Sequence, residues 1–269
     1  MTQSPPEHKA LNPAIPNVAR MYDFMLGGKE NYASDRAAVA NLIELTSSDI
    51  PANARLNRAF LGRAVRYVAS QGVTQFLDIG AGLPTQQSVH QVASEISPDI
   101  RTVYVDNDAV VLAHARALLG DTKYTAVAAG DVRDPATIIG DLAVRELIDF
   151  NRPVCVLLVA ILHFITDADD PKSLLSVLRE AMPPGSYLIL SHATVDSAPP
   201  DMAAKADDAE RLYDQATAPL ALRDAAEVAA LLDGFSLIEP GLVHVSQWRP
   251  PMDATYKFDA FLAAVGRKD

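Results

Sequence analysis

From residue 73 onward, short β-rich apolar runs alternate with helical segments, and this alternation constrains the fold more than any other feature of the chain. Continuously apolar strands are typical of sheets that are buried on both faces. Repeated β and α units of this kind predict a Rossmann-like, doubly wound α/β fold with a mostly parallel sheet. The predicted strands are residues 73–79, 101–106, 124–128, 154–160 and 187–191, followed by 235–239 and 258–266.

Local start and stop signals place helices between the strands. Proline at the first helical position behind Asp134 or Asp170 is typical of a capped helix start. The Ala-rich segment 198–218 predicts a helix that covers the site like a lid, and 223–232 predicts a helix that ends before Gly234. The helices between the first five strands are expected to start near Pro84, Asp108, Pro135 and Pro171, and the last two of these starts are the capped ones.

The residues before the sheet predict a helical preamble. Residues 1–14 are polar and proline-bearing and predict a mobile tail. From Asn17, as an N-cap, apolar residues recur at helical spacing until Gly27 ends the helix. Two further helices are expected, one from Asp35 and one over 56–68. Because no linker-like stretch divides the 269 residues, we expect one domain over 15–269, with the preamble at 15–72 and the sheet core at 73–269.

Charge and cysteine content narrow the choice of partners. The chain has 34 acidic and 23 basic side chains and a formal charge of -11, whereas binding to nucleic acids and anionic membranes is driven by Lys and Arg. We therefore expect neither nucleic acid nor membrane as a partner. The one cysteine, Cys155, has no partner for an internal disulfide, and no Cys/His cluster has the spacing of a structural metal site.

The expected compartment is the cytoplasm. The longest apolar run, 154–165, is shorter than the ~20 residues of a membrane span. The first ten residues lack the basic flank and apolar core of a secretory signal.

The loop after the first predicted strand indicates a ligand site. Gly80 and Gly82 allow a tight turn and a close approach of the backbone to a ligand. A dinucleotide fingerprint requires glycine at position 85, where this chain has Thr85. Asp78 would repel a pyrophosphate but attract an ammonium group, so the loop favours a cationic amino-acid ligand.

Two further carboxylates follow the next strands. Asp106 lies 24 residues beyond Gly82, close to the spacing expected of an acceptor for two ribose hydroxyls. Asp108 is expected to cap the following helix. Asp131 follows the third strand and could accept a hydrogen bond from an adenine amino group. These carboxylates would meet at one edge of a parallel sheet.

These motifs together resemble a class I S-adenosylmethionine (SAM) dependent methyltransferase. The resemblance rests on D-I-G-A-G-L-P at 78–84, Y-V-D-N-D at 104–108, G-D-V-R-D-P at 130–135 and the apolar strand before A-I-L-H-F at 160–164. With P-N-V-A-R-M-Y-D-F-M-L-G-G-K-E-N-Y at 16–32 and L-N-R-A-F-L-G-R-A-V-R-Y at 56–67, the chain resembles a methyltransferase family common in actinobacteria and formerly catalogued as a domain of unknown function.

The resemblance implies SAM as the cofactor and assigns its contacts. These are Asp78, Gly80 and Gly82 for the amino-acid end, Asp106 and Asn107 for the ribose, Asp131 and Val132 for the adenine, and Ala160 and His163 beside the methyl group. A preamble helix that closes over the cofactor would bring Arg20 to the methionine carboxylate, with Tyr22, Gly28 and Asn31 nearby and Arg58 as a further candidate.

The expected reaction is methyl transfer from SAM to an unidentified small-molecule or protein acceptor. For a hydroxyl or amine acceptor, His163 or His192 is the candidate general base. No Asn/Asp-Pro-Pro-aromatic or Pro-Cys motif of DNA methyltransferases follows the fourth strand. Two alternatives remain open: a SAM-binding regulatory protein without turnover, and an NAD-dependent oxidoreductase on the same kind of sheet.

Overall fold

The computed structural model describes residues 12–46, 48–84, 88–119, 123–196, 200, 204–251 and 259–269. Four sequence predictions fall partly outside these residues. They are the tail over 1–11, the helix start over 85–87, the first part of the lid segment at 198–199 and 201–203, and the first residue, 258, of the last predicted strand.

The preamble forms three helices, α1 (Val18–Met25), α2 (Ala33–Thr46) and α3 (Ile50–Ser70). Strands and helices then alternate as β1 (Gln75–Ile79), α4 (Val89–Ser94), β2 (Arg101–Asp106), α5 (Ala109–Leu119), β3 (Thr125–Ala129), α6 (Pro135–Gly140), α7 (Leu142–Leu147), β4 (Cys155–Val159), α8 (Pro171–Ala181) and β5 (Tyr187–Ala193). The C-terminal part contains α9 (Ala206–Tyr213), α10 (Ala225–Leu231), β6 (Ser236–Leu237), β7 (Val243–His244) and β8 (Phe261–Arg267). Of the described helices, none combines the length and apolar character needed to cross a bilayer.

The strands form one mixed sheet, which has eight strands within the described residues. Its order is β3-β2-β1-β4-β5-β8-β6, and β7 pairs with β8. The first five strands are mutually parallel, whereas β8 runs antiparallel to β5, with Ala193 opposite Phe261. The strand order reverses between β1 and β4, which is where ligands bind in sheets of this kind. The predicted doubly wound α/β fold is confirmed.

The two faces of the sheet bury separate apolar clusters. One face packs against α3, α4 and α5, and there Phe60 meets Trp248 edge to face with ring centroids 5.5 Å apart. The other face packs against α6, α7, α8 and α10. All five residues of β1 are buried, including the polar Gln75 and Asp78. Cys155 is a fully buried member of β4.

A third apolar cluster joins α1, α2 and α9 above the sheet. Met21, Met25, Val39, Leu42 and Tyr213 are among its buried members. The predicted limits of α1 are confirmed, since the Asn17 side chain accepts a hydrogen bond from the Arg20 amide and Gly27 adopts a φ of 80°. The preamble therefore packs against the segment that was expected to act as a lid.

The structure differs from the predicted elements in several places. The helix expected from Pro84 begins at Val89, and residues 214–218, after α9, are not helical. The helix expected from Pro135 is two helices, because the Asp141 carboxylate caps a second one by accepting from the amides of Ala143 and Val144. Strand β7 has two residues, too few for a periodic pattern to reveal it.

Candidate functional site

A cavity of about 1030 Å³ lies at the carboxyl ends of β1, β2, β3 and β4. Its other walls come from α1, α2, α3 and α9 and from the loop after β4. The structure brings together around this cavity most of the residues that the sequence nominates: Arg20, Tyr22, Arg58, Asp78, Gly80, Gly82, Asp106, Asn107, Asp131, Val132, Ala160 and His163.

Gly28 and Asn31 do not lie among the cavity-lining residues but surround Asp23, which does. The Gly28 amide donates to the Asp23 backbone carbonyl, and the Asn31 amide nitrogen donates to the Asp23 carboxylate at 2.9 Å. A Cβ atom on Gly28 would lie 1.9 Å from that carboxylate, which is why the position is a glycine. The structure gives both residues a role in shaping the loop after α1.

Asp78 presents a buried carboxylate to the cavity at the end of β1. It is 6% exposed, and its side chain makes no hydrogen bond within the described residues. Burial raises the pKa of Asp78 to about 7, an effect opposed by the charge of Arg58 and reinforced by that of Asp106. A buried carboxylate without hydrogen bonds is stabilised by a cationic partner, and the ammonium group of a ligand would supply one.

Arg58 is the complementary charge. Its Nε is enclosed by protein and has no hydrogen-bond partner, although the residue lines the cavity. Arg58 lies near enough to lower the pKa of Asp78, but the two side chains form no ion pair with each other in the described structure. An unsatisfied carboxylate and an unsatisfied guanidinium at one end of a cavity match the two charges of a free amino-acid group.

Arg20 is already committed to other partners. Its Nε donates to Asp35 at 2.8 Å, in an ion pair whose side chains are 5% and 0% exposed, and its terminal nitrogen donates to the Ile15 carbonyl. The Asp35 carboxylate also accepts from the amides of Asn17 and Tyr32. The guanidinium of Arg20 therefore holds the preamble together, and the geometry favours Arg58 over Arg20 as a partner for a ligand carboxylate.

The glycine loop after β1 is fastened to the end of β2. The Gly82 amide donates to Asp106 Oδ2 at 2.9 Å, and the Asp108 amide donates to Oδ1 at 2.9 Å. Gly80 and Gly82 have φ values of 74° and 66°, a region in which residues with side chains are strained. Burial raises the pKa of Asp106 to about 6, against the lowering effect of these amides. As predicted, Asp108 caps α5.

The carboxylate of Asp131 lies in a polar cluster at the end of β3. It accepts from the Asn107 amide nitrogen at 2.9 Å and from both the backbone and the guanidinium of Arg133. Arg133 in turn lies 3.5 Å from Asp169. The side chains of Asn107 and Asp131 thus bridge the ends of β2 and β3, the two places at which the sequence nominated ribose and adenine contacts.

Ala160, directly after β4, has a φ of 58°. The left-handed backbone conformation costs roughly 1–2 kcal/mol for a residue that has a Cβ atom. A residue other than glycine therefore adopts it only when surrounding contacts stabilise it. Here the Ala160 amide donates to the Ser191 hydroxyl at 3.0 Å and to the Ser191 carbonyl. The strained turn directs the chain into the short helical turn that contains His163.

His163 and His192 lie next to each other but face different surroundings. His163 lines the cavity, and burial lowers its pKa well below the usual value, with contributions from His192 and Arg223. His192 is outside the cavity lining, 5.6 Å from the His163 ring, and burial lowers its pKa to about 4. Arg223 donates to His192 Nε2 at 3.0 Å and to Asp167 at 2.7 Å, which fixes the loop after β4.

The part of the cavity beyond the strand ends is largely apolar. The ring centroid of Phe164 lies 4.3 Å from that of His163 and 5.9 Å from that of Tyr213, and the ring centroid of Phe261 lies 5.9 Å from that of His163. All four side chains line the cavity. Tyr213 is 8% exposed, and burial raises its pKa to about 12.

Sequence reasoning missed Asn53, which lines the cavity from α3 and is 4% exposed. The signal was present: Asn53 and Asn57 share the buried face of α3 with Leu61 and Ala64. Polar residues on an apolar helix face need internal partners or a ligand. The row of Phe164 and Phe261 was also missed, because these residues are distant in sequence.

The chain is similar to proteins that bear on this geometry. The profile of a family described as S-adenosyl methyltransferase matches residues 4–269. A DUF574 family protein from Streptomyces avermitilis is 36% identical, covers 95% of this chain and 98% of its own, and superposes with a TM-score of 0.88. A candidate methyltransferase from Thermobifida fusca is 37% identical, covers 95% of this chain and 96% of its own, and gives 0.87. No curated protein matches the chain closely enough to add a relative.

Proposed function

The chain belongs to the S-adenosyl methyltransferase family and is thus a SAM-dependent methyltransferase, and from this premise we propose that its methyl acceptor is a small molecule held inside the cavity. One observation carries the proposal: the cavity runs from the strand ends to the aromatic side chains near α9 in a single volume of about 1030 Å³. Small-ligand sites typically measure about 300–1,000 Å³, so this cavity lies at the upper end of that range, and its aromatic part extends beyond the strand ends where the cofactor is proposed to bind.

We propose that the amino-acid end of SAM binds between Asp78 and Arg58. The unpartnered carboxylate of Asp78 suits the ammonium group, and the guanidinium of Arg58, a residue that lines the cavity, suits the carboxylate. The glycine loop lets the backbone approach the ligand closely, since nothing would contact a Cβ atom at Gly82 on the protein side. The buried carboxylate and the half-buried guanidinium gain the partners that the described residues do not provide.

The nucleoside end is proposed to bind along the ends of β2 and β3. Each Asp106 oxygen accepts one backbone amide, which leaves further lone pairs for two ribose hydroxyls. Asn107 lies beside the ribose position, and Asp131 and Val132 beside the adenine. When bound, SAM supplies a methyl group on a positively charged sulfur, a charge that is lost on transfer. The residues around Ala160 and His163 then serve to align the acceptor and exclude water.

The helical preamble is proposed to act with the sheet core as one domain that encloses the reaction. The Thr217 amide donates to the Pro16 carbonyl, and the Val18 amide donates to the Thr217 hydroxyl, so α1 meets the segment after α9. This junction and the apolar cluster of α1, α2 and α9 form the wall opposite the strand ends. Exclusion of water is what such a wall contributes.

The proposal is tested by supplying SAM with a labelled methyl group together with separated low-molecular-mass, protein and nucleic-acid fractions of a cell extract. We expect the labelled methyl group to appear in a low-molecular-mass product other than SAM, and this product should form only when the wild-type protein is present. Asp106→Ala is the matched control, because it should lose the ribose contacts. Label in the protein or nucleic-acid fraction instead would refute a small-molecule acceptor.

A further inference from the structure

The hydrogen bonding of His163 fixes which of its nitrogens carries the proton. The Ala193 amide donates to His163 Nδ1 at 3.2 Å. A backbone N–H can only donate, so Nδ1 must be the accepting nitrogen. In the neutral ring the proton is then on Nε2, and Nε2 acts as a hydrogen-bond donor.

The surroundings of His163 keep the ring neutral. The residue is 4% exposed, and burial lowers its pKa well below the usual range. The charges of His192 and Arg223 lower the pKa of His163 further. A second proton would have to sit on Nδ1, where it would face the Ala193 N–H.

Asn53 is held in the same way. Its side-chain oxygen accepts from the Ala260 amide at 3.3 Å, so its amide nitrogen points elsewhere and has no partner within the described residues. The two anchoring amides are close to each other, because Ala193 pairs with Phe261 across β5 and β8 and the Thr194 amide donates to the Ala260 carbonyl.

The two donor atoms are assigned to the cavity side, because both residues line the cavity and neither atom is completely enclosed. The side-chain atoms that the described residues enclose completely without a partner are Asn57 Oδ1, Arg58 Nε, Thr102 Oγ1 and Trp248 Nε1. His163 Nε2 and Asn53 Nδ2 are not among them, and both residues line the cavity. Two side chains, each more than nine-tenths buried, thus use their acceptor atoms to bind backbone amides. Their donor atoms are left for a ligand.

We propose that Asn53 and His163 select a methyl acceptor with a flat apolar ring system and an oxygen that accepts hydrogen bonds. This oxygen belongs to a carbonyl or to an ionised hydroxyl or carboxyl group. The flat ring system follows from the row of Phe261, His163, Phe164 and Tyr213 along the wall. A cationic amine acceptor is disfavoured, because its N–H groups are also hydrogen-bond donors and would leave Asn53 Nδ2 and His163 Nε2 without an acceptor. The inference rests on the proposed function, since it describes the acceptor for that same cavity.

A consequence concerns the general base. A base acting through Nε2 needs a free lone pair there, and the Ala193 amide places the proton on that atom instead. His163 is therefore a donor that binds the acceptor's oxygen and not the group that removes its proton.

The tautomer is tested directly by nuclear magnetic resonance of the full-length protein with ¹⁵N-labelled histidine at neutral pH. We expect His163 to show a protonated Nε2 and an unprotonated Nδ1, with His163→Gln identifying the signal. An Nδ1-protonated ring, or a doubly protonated ring, would overturn the proposal.

The selectivity is tested with benzoate and benzylamine, which have similar shapes and opposite charges, on protein saturated with S-adenosylhomocysteine. We expect benzoate to bind about ten-fold or more tightly than benzylamine. Asn53→Asp keeps the oxygen that meets Ala260 but replaces the donor with a charge, and it should reverse this preference. His163→Gln keeps a donor and should bind benzoate within about three-fold of wild type, whereas His163→Phe should lose about ten-fold.

Three results would overturn the proposal: no benzoate binding, a preference for benzylamine in the wild type, or unchanged benzoate affinity in both Asn53→Asp and His163→Phe. Thermal melting checks each variant, and Asn53→Ala replaces Asn53→Asp if the latter does not fold. S-adenosylhomocysteine affinity is measured first. If that ligand does not bind, the proposed cofactor site fails, while the tautomer experiment still judges the inference about His163.

Discussion

The side-chain amide of Asn17 donates a 2.7 Å hydrogen bond to the carboxylate of Asp108, which joins the start of α1 to the start of α5 across 91 residues of sequence. The same Asn17 side chain caps α1 through its oxygen, and Asp108 caps α5 through its other oxygen. One pair of side chains therefore fixes two helix starts and attaches the preamble to the sheet beside Asp106. Because α1 and Asp108 both line the cavity, this attachment bears on ligand binding as well as on stability.

Asn17→Ala should lower the free energy of unfolding by about 1–3 kcal/mol, because it removes a helix cap and a hydrogen bond to a charged group. Asn17→Asp separates the two effects, since aspartate caps a helix but would repel Asp108. We expect both variants to weaken S-adenosylhomocysteine binding. Chemical denaturation and calorimetry measure the two quantities, and full cofactor affinity in both variants would show that the attachment is structural only.

Arg58→Met should reduce affinity for S-adenosylhomocysteine by about ten- to a hundred-fold, because it removes the cation proposed to meet the ligand carboxylate. The apoprotein should lose little stability, since the Nε of Arg58 has no partner to leave unsatisfied. Arg55→Met is the matched control, because Arg55 lies on the same helix with an exposed side chain. Equal affinities of the two variants, measured by calorimetry, would remove Arg58 from the site.

Arg20→Ala should behave in the opposite way. Removal of Arg20 leaves the carboxylate of Asp35 buried without its cation, and breaking a buried pair typically costs about 3–5 kcal/mol. We expect a large fall in melting temperature, with cofactor affinity reduced only as far as the preamble is disturbed. A variant that melts like the wild type but fails to bind the cofactor would return Arg20 to the ligand carboxylate.

Asp78 should make cofactor affinity depend on pH. The pKa of Asp78 is raised to about 7, and only the ionised carboxylate pairs with the ligand's ammonium group. Affinity for S-adenosylhomocysteine should therefore rise between about pH 5.5 and 7, by up to about ten-fold per pH unit, and level off above that. Calorimetry across this range tests the slope, and Asp78→Asn should bind weakly with little dependence on pH.

The same group should make the apoprotein less stable as pH rises. A carboxyl pKa raised in the folded state contributes stability below the unfolded value of 3.8 that is lost as pH rises through about 7. Asp78→Asn should thus match the wild type near pH 4 and exceed it at pH 8, by a margin on the order of a few kcal/mol. Denaturation curves at the two pH values measure the margin. If the difference in unfolding free energy between Asp78→Asn and the wild type were the same at both pH values, burial would not raise the pKa of Asp78.

Asp106→Ala should weaken cofactor binding about ten- to a hundred-fold, through loss of the ribose acceptor and release of the Gly82 amide. Asp99→Ala is a suitable control, because Asp99 is an exposed residue in the turn before the same strand. If calorimetry gives both folded variants the affinity of the wild type, Asp106 does not contact the cofactor.

Local signals in the sequence determined the elements and the ends of the strands. Continuous apolar runs predicted the buried parallel strands, and the caps at Asn17, Asp134 and Asp170 marked helix starts that the structure contains. Because parallel strands end at one edge of the sheet, Asp78 and Asp106 could be placed together before the fold was known. These features depend on neighbours a few residues away, which is why a linear pattern records them.

Tertiary structure alone decided which charges remain free. Arg20 and Arg58 look alike in the sequence, but Asp35 folds back onto Arg20, whereas no described side chain satisfies the Nε of Arg58. The proton position on His163 likewise depends on the Ala193 amide, thirty residues away. Whether a polar group is already bonded within the protein or can bind a ligand depends on partners that are distant in the chain and adjacent in space. For this reason the sequence determined the cofactor and the fold, while the packing of the preamble on the sheet decided which residues can meet a ligand.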